Sequence, residues 1–193
     1  MASNHEAYEL LERIGNLLRN EARQMGNEHG LHPVHIEMLY YLQRCNLFSD
    51  TPAALTEFLG ITKGTASQSI TLLESKGLLS KNKDLNDKRI SHLKLTEQGE
   101  TLIHQICPPA RFIPLLEKVE NDSPHVIMVL KQLLSDMQQG NDKASFGVCK
   151  TCRHHEVRSE TEFFCQLTQM TLAREFGELI CKEHDEEFTD KKD

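Results

Sequence analysis

The stretch AALTEFLGITKGTASQSITLLESKG, from Ala53 to Gly77, constrains the chain more than any other. Two short apolar-periodic segments flank Gly60, which suits a left-handed turn, and Thr62, which suits a helix N-cap. Gly77 closes the second segment. Two short helices around a tight glycine turn have the spacing of a helix-turn-helix. In the second helix Ala66, Ile70 and Leu73 form a core stripe, which leaves Thr65, Ser67, Gln68 and Thr71 on or beside the outward face. Short hydroxyl and amide side chains at such positions are what reading base edges requires. From Leu78 the pattern changes to alternation, and SHLKLT, Ser91 to Thr96, reads as a second strand. The polar KNKDLNDKR between them predicts a hairpin with a basic tip, a wing.

Charge supports that reading locally and opposes it globally. The formal net charge is −7, which excludes indiscriminate coating of nucleic acid. Between Gly60 and Leu95, however, seven cations (Lys63, Lys76, Lys81, Lys83, Lys88, Arg89, Lys94) face three acids (Glu74, Asp84, Asp87), a local +4. Upstream, Ala7, Leu10, Leu11, Ile14, Leu17, Leu18, Ala22 and Met25 predict an amphipathic helix over Glu6–Met25, and a second begins near Pro33. Two more are expected beyond the wing, at 98–106 before Pro108-Pro109, and at 124–137. The fold class is therefore mainly α with a small β wing.

These residues resemble the MarR-type winged-helix transcriptional regulators. The resemblance runs from Glu6 to Met137 and is most specific in ITKGTASQSITLLESKGLLSKNKDLNDKRISHLKLTEQG. It implies that Asp87 and Arg89 are the wing's Asp-x-Arg, with Arg89 reaching into the minor groove and Asp87 holding the wing. It also implies dimerisation through the N- and C-terminal helices, so that a homodimer sets two recognition helices in successive major grooves of double-stranded DNA at a near-palindromic operator. The expected DNA-binding set is Lys63, Thr65, Ser67, Gln68, Thr71, Lys83, Asp87, Lys88 and Arg89. The chain departs from the family at His32 and His35, commonly Thr and Gln, which weighs against a family-style aromatic-ligand pocket. The expected winged-helix and dimerisation domain covers 1–140.

Gln138–Ser145 reads as a polar linker, and 146–193 as a small cysteine-rich metal-binding module. Cys149-x2-Cys152 is followed after twelve residues by Cys165 and after fifteen more by Cys181, a residue expected on a helix. His154, His155 and His184 are possible substitute ligands. No apolar run approaches a membrane span and no secretory leader pattern opens the chain, so a cytoplasmic protein without a membrane partner is expected. There, clustered thiols serve metals or redox chemistry more often than disulfides. One CxxC knuckle and two isolated cysteines resemble small [4Fe–4S] modules in spacing, and Phe146, Phe163, Phe164, Leu167 and Phe176 could shield the sulfurs. Zinc held by four cysteines, or by three with one histidine, is the alternative cofactor. It would make a zinc-stabilised or zinc-responsive regulator. A third reading makes the segment a protein-interaction element. Cys45 and Cys107 are expected to be buried free thiols, and EHDEEFTDKKD from Glu183 a solvated acidic tail. No Walker loop, GxGxxG, GxSxG or HExxH is present, and His154-x-Glu156 lacks the second half of a zinc-deaminase signature, so no enzyme is expected.

Overall fold

The computed structural model describes residues 2–85, 87–139 and 145–185. Seven helices precede a small β-rich segment: α1 (Ala2–Asn27), α2 (Pro33–Arg44), α3 (Pro52–Leu59), α4 (Lys63–Ser75), α5 (Glu97–Ile106), α6 (Ile113–Asp122) and α7 (His125–Gln139). Strands β1 (Leu79–Lys83) and β2 (Ser91–Leu95) lie between α4 and α5 and pair antiparallel, with Leu79 opposite Leu95 and Lys83 opposite Ser91. The expected winged helix-turn-helix is present. Met38, Leu39, Tyr41, Leu55, Leu73, Leu93 and Ile103 fill its core, each large apolar side chain contributing roughly 1.5–3 kcal/mol by leaving water.

Local chemistry accounts for the boundaries. Thr51, Thr62 and Thr96 cap α3, α4 and α5 by accepting the backbone N–H groups of Ala54, Thr65 and Gly99. Gly60 ends α3 at φ 62°, a conformation that disfavours a side chain. The unusual His32 and His35 build the start of α2, where the His32 N–H donates to His35 Nδ1 at 3.0 Å. That bond needs a neutral ring, and burial, His32 and Lys76 all lower the His35 pKa. Helix α6 has no counterpart in the sequence reading, which takes Pro108-Pro109 as a breaker and resumes a helix only at 124. Pro114 in fact lies in its first turn, where a missing N–H costs nothing.

Helices α1, α6 and α7 leave large apolar side chains in the open. Leu10, Ile14 and Leu17 on α1, Leu115 and Leu116 on α6, and Met128, Val129 and Leu134 on α7 are all exposed. None of these helices is long and apolar enough to cross a membrane.

The cysteine-rich segment forms two small sheets. Strands β4 (His155–Val157), β5 (Glu162–Cys165) and β6 (Met170–Ala173) make an antiparallel meander, while β3 (Gly147–Val148) pairs with β7 (Ile180–Cys181). Cys181 is thus on a strand and not on a helix: a 3-10 turn over 174–178 interrupts the periodic run, and pairing with Gly147 decides its conformation. The expected acidic tail also begins later than Glu183, since His184 is buried and Asp185 pairs with Arg153 at 2.7 Å. Residues 186–193 of that tail, and 140–144 of the expected linker, lie outside the described residues. Gln138 and Gln139 still belong to α7.

This segment is packed onto the winged helix. Cys45 bridges Ile180, the Asn46 N–H donates to the Ile180 carbonyl at 2.9 Å, and the Lys182 N–H donates to Ser49 Oγ at 2.8 Å. Phe146 and Ile180 enter the main core, with the Phe146 ring edge-on to Phe58 at 5.3 Å.

A Cβ at Gly99 would run into the backbone carbonyl of Leu78. Gly99→Ala should therefore destabilise by at least the upper part of the ~1–3 kcal/mol range of overpacking. A urea denaturation midpoint equal to that of the parent would show that α5 and β1 do not approach this closely.

Candidate nucleic-acid interface and cysteine centre

The outward face of α4 is polar, as expected. Lys63, Thr65, Ser67, Gln68 and Thr71 are exposed, whereas Ala66, Ser69, Ile70 and Leu73 are buried. Two hydroxyls are already engaged: Thr65 Oγ1 lies 3.0 Å from the capping hydroxyl of Thr62, and Thr71 Oγ1 donates to the Ser67 carbonyl at 3.0 Å. Among the described residues Ser67 and Gln68 make no side-chain hydrogen bond, so their donors and acceptors face water.

The wing is held by its acids. Asp87 Oδ1 accepts the Arg89 N–H at 2.9 Å and Asp84 Oδ1 accepts the Asp87 N–H at 2.8 Å, turns that Asp side chains favour. Lys83, Lys88 and Arg89 are exposed, and no ion pair engages them among the described residues. At the base of the wing His92 stands between two carboxylates, Nδ1 at 2.5 Å from Asp50 and Nε2 at 3.2 Å from Asp84. Both ring nitrogens face acceptors, which suits the protonated ring. The hydrogen bond to Asp50 raises the His92 pKa, with burial opposing and the charges of Asp50 and Asp84 adding. Asp50 is itself shifted upward, because burial outweighs its bond to His92. Asp50 and His92 did not stand out in the sequence, being 42 residues apart with no motif to link them.

The four C-terminal cysteines converge from three places. Cys149 opens a 3-10 turn that Cys152 closes, its N–H donating to the Cys149 carbonyl at 3.1 Å, while Cys165 and Cys181 end β5 and β7. Burial pushes the Cys149 thiol up to about 12, and the charges of Cys181, Cys165 and Cys152 push the same way. Burial raises Cys181 too, against hydrogen bonds to its sulfur from the Asn46 side chain and the Glu183 backbone. The four thiols therefore lie within electrostatic reach of one another. Yet among the described residues no three His, Cys, Asp or Glu side chains converge closely enough to hold a single metal ion.

The surroundings differ in part from expectation. Phe163 and Phe176 pack beside Cys149 and Cys165, together with Leu47, Phe48 and Leu172. Phe146 belongs to the main core, Phe164 carries the Arg158 guanidinium over its ring, and Leu167 is half exposed. His184 is unsuited as a substitute ligand: its Nδ1 is 2.7 Å from Ser145 Oγ and its Nε2 2.8 Å from Thr151 Oγ1, so both ring nitrogens are occupied. It acts as a bolt between the start and the end of the segment. His155 stacks on Phe163 at 4.1 Å, and its buried Nδ1 has no hydrogen-bond partner among the described residues. The partly buried His154 lends its carbonyl to the Gln166 N–H. Cys45 is a buried thiol as expected, whereas Cys107 is only partly buried. A cleft of about 1060 Å³ lies between the two regions, lined by Arg89 and Ile90 of the wing and by Leu167, Met170 and Lys182.

A capped recognition helix with a free polar face, followed by a basic wing, defines a winged helix-turn-helix domain. Residues 29–90 match the model of the MarR family. The transcriptional repressor MprA of Escherichia coli (strain K12) is 28% identical over 117 residues, covering 56% of this chain and 66% of that protein, just under two thirds of the relative's length. Staphylococcus aureus MepR in its DNA-binding conformation superposes with a TM-score of 0.59 at 21% identity, over 68% of this chain and 98% of that one. A mutant of Escherichia coli MarR complexed with operator DNA gives 0.50 at 20% identity, over 67% and 91%. By its name MprA is a transcriptional repressor.

The His92 bridge carries a sign. A ring whose pKa is raised in the folded state stabilises fully below its unfolded value near 6.5 and loses that contribution as pH rises through the raised folded value. Compared at pH 6 and above that value, the parent should lose more thermal stability than His92→Gln. Parallel pH profiles for the two proteins would dismiss the bridge.

Proposed function

We propose that the protein is a homodimeric, DNA-binding transcriptional regulator whose four C-terminal cysteines hold an iron–sulfur cluster. The observation that carries the DNA reading is the exposed polar face of α4 beside exposed wing cations that no ion pair engages among the described residues. The known proteins agree: one relative is a repressor, and one solved structure of the same fold holds operator DNA. The second copy would cover the apolar faces of α1, α6 and α7, an extent of exposed hydrophobic surface that monomers rarely carry. Lys63, Ser67 and Gln68 would meet the major groove, Arg89 and Lys88 the adjacent minor groove and phosphates, and Asp87 would fix the wing turn from which Arg89 projects.

For the cysteines, the donor set fits a thiolate-held centre. Cys149 and Cys181 are buried, Cys149 and Cys165 sit against an apolar cluster, and the charges of Cys152, Cys165 and Cys181 act on Cys149. A bound cluster would supply redox and oxidant-sensitive chemistry, and the chain's own part is to hold, shield and hydrogen-bond the sulfurs.

Two measurements test the two halves. Arg89→Ala should weaken binding to a duplex selected by the parent and lower the salt slope by ~1, with unchanged folding. Equal affinity and slope would remove the wing from the interface. In anaerobically purified protein each of Cys149→Ser, Cys152→Ser, Cys165→Ser and Cys181→Ser should lose most iron, sulfide and absorbance near ~400 nm, whereas Cys45→Ser and Cys107→Ser should not. Colourless parent protein carrying zinc would establish the zinc alternative, and parental metal content in all four mutants would end the site.

A further inference from the structure

Between α2 and α3 the chain runs through Cys45–Thr51, and this connection touches both the cysteine centre and the wing. On the side of the centre it grips the residues flanking Cys181. The Asn46 N–H donates to the Ile180 carbonyl at 2.9 Å, and Ser49 Oγ accepts the Lys182 N–H at 2.8 Å. Asn46 is 2% exposed, and its side-chain oxygen is committed, accepting the Phe48 N–H at 3.1 Å and the Ser49 hydroxyl at 2.8 Å. Asn46 thereby fixes the Ser49 hydroxyl that holds Lys182, the residue after Cys181, while its own N–H holds Ile180, the residue before it.

On the side of the wing, the next residue does the holding. The Asp50 carbonyl accepts the Leu93 N–H of β2 at 2.7 Å, and its carboxylate takes His92 Nδ1, whose ring reaches Asp84 at the foot of the wing turn. Asp84 in turn orders Asp87, and Asp87 orders the Arg89 backbone. Tyr41, fully buried, donates its hydroxyl to the Ser49 carbonyl at 2.7 Å and pins the middle of the connection to α2. Movement at Cys181 therefore has a rigid, hydrogen-bonded route to the wing through five residues of one loop.

We propose that the 45–51 connection is a strap that couples the four-cysteine centre to the wing, with Asn46 positioning Cys181 and the Asp50–His92 pair positioning Arg89. This rests on the reading that the cysteines hold a metal centre, and it adds the route by which that centre would regulate DNA binding. A ligand alters a distant affinity only by favouring one arrangement of a shared element. The strap is that element, since no other described loop is bonded both to residues flanking Cys181 and to the wing.

The test uses the full chain in two states, loaded anaerobically with iron and sulfide and stripped by chelation, against a fluorescent duplex carrying the consensus selected by the parent. The parent's affinities should differ between states by about 5- to 150-fold, the usual span of allosteric coupling. Asn46→Ala and His92→Gln should each keep parental iron content and bring the ratio towards one, and Asn46→Ala should also shift the absorbance of the loaded centre. A parental ratio in both variants with iron retained, or a ratio of one in the parent, would overturn the strap. Hydrogen exchange in stripped protein decides the same point without metal: Asn46→Ala should speed exchange of the Leu93 and Arg89 amides, and unchanged exchange would overturn it. Should Asn46→Ala fail to fold, His92→Gln, at a partly exposed site, carries the affinity measurement. A parent that retains neither iron nor zinc would defeat the proposed centre, and the exchange measurement would then decide the strap alone.

Discussion

Burying a stretch of irregular backbone forces a solution for each of its polar groups, and the connection from Cys45 to Thr51 is such a stretch. Asn46 and Ser49 are almost wholly inaccessible, and Asp50 is nearly so. Helix α2 answers through Tyr41, β2 through the Leu93 amide and His92, and β7 through Ile180 with Lys182 just beyond its end. Removing the β7 contribution would leave the Asn46 amide and the Ser49 hydroxyl short of partners, at a cost of about 1–3 kcal/mol for each unsatisfied group. The cysteine-rich segment is therefore part of how the winged helix satisfies its own interior.

The same packing explains why the segment folds beside the wing. Leu47 and Phe48 on the connection, together with Cys149, Phe163, Leu172 and Phe176, form a small second cluster. So few apolar residues provide little core. Hydrogen bonds do the remaining work: His184 ties Ser145 to Thr151, and Gly147 gives its ring room that any side chain would occupy.

Protonation opposes itself across the molecule. His35 and His155 are pushed toward neutrality by burial, while the carboxylates around His92 favour its charged form. Lowered and raised histidines contribute to stability with opposite pH slopes, so the wing anchor is visible only by comparison with its own mutant.

The amino-acid sequence by itself determined the helix-turn-helix and the wing. The periodicities, the caps at Thr51, Thr62 and Thr96, and the turn at Gly60 are local signals that act within a few residues. It also determined that Ser67 and Gln68 face outward, because a buried stripe leaves only one face of the helix free. It placed four cysteines at a metal-like spacing, but not their company. Helix α6 was hidden by prolines, Cys181 was assigned to a helix although its strand is set by Gly147 more than thirty residues away, and His184 was grouped with possible ligands although two hydroxyls occupy its ring. Asn46, Ser49, Asp50 and His92 carried no sequence signal. Their roles depend on partners 42 to 134 positions distant, and only the folded chain brings such groups within hydrogen-bonding reach.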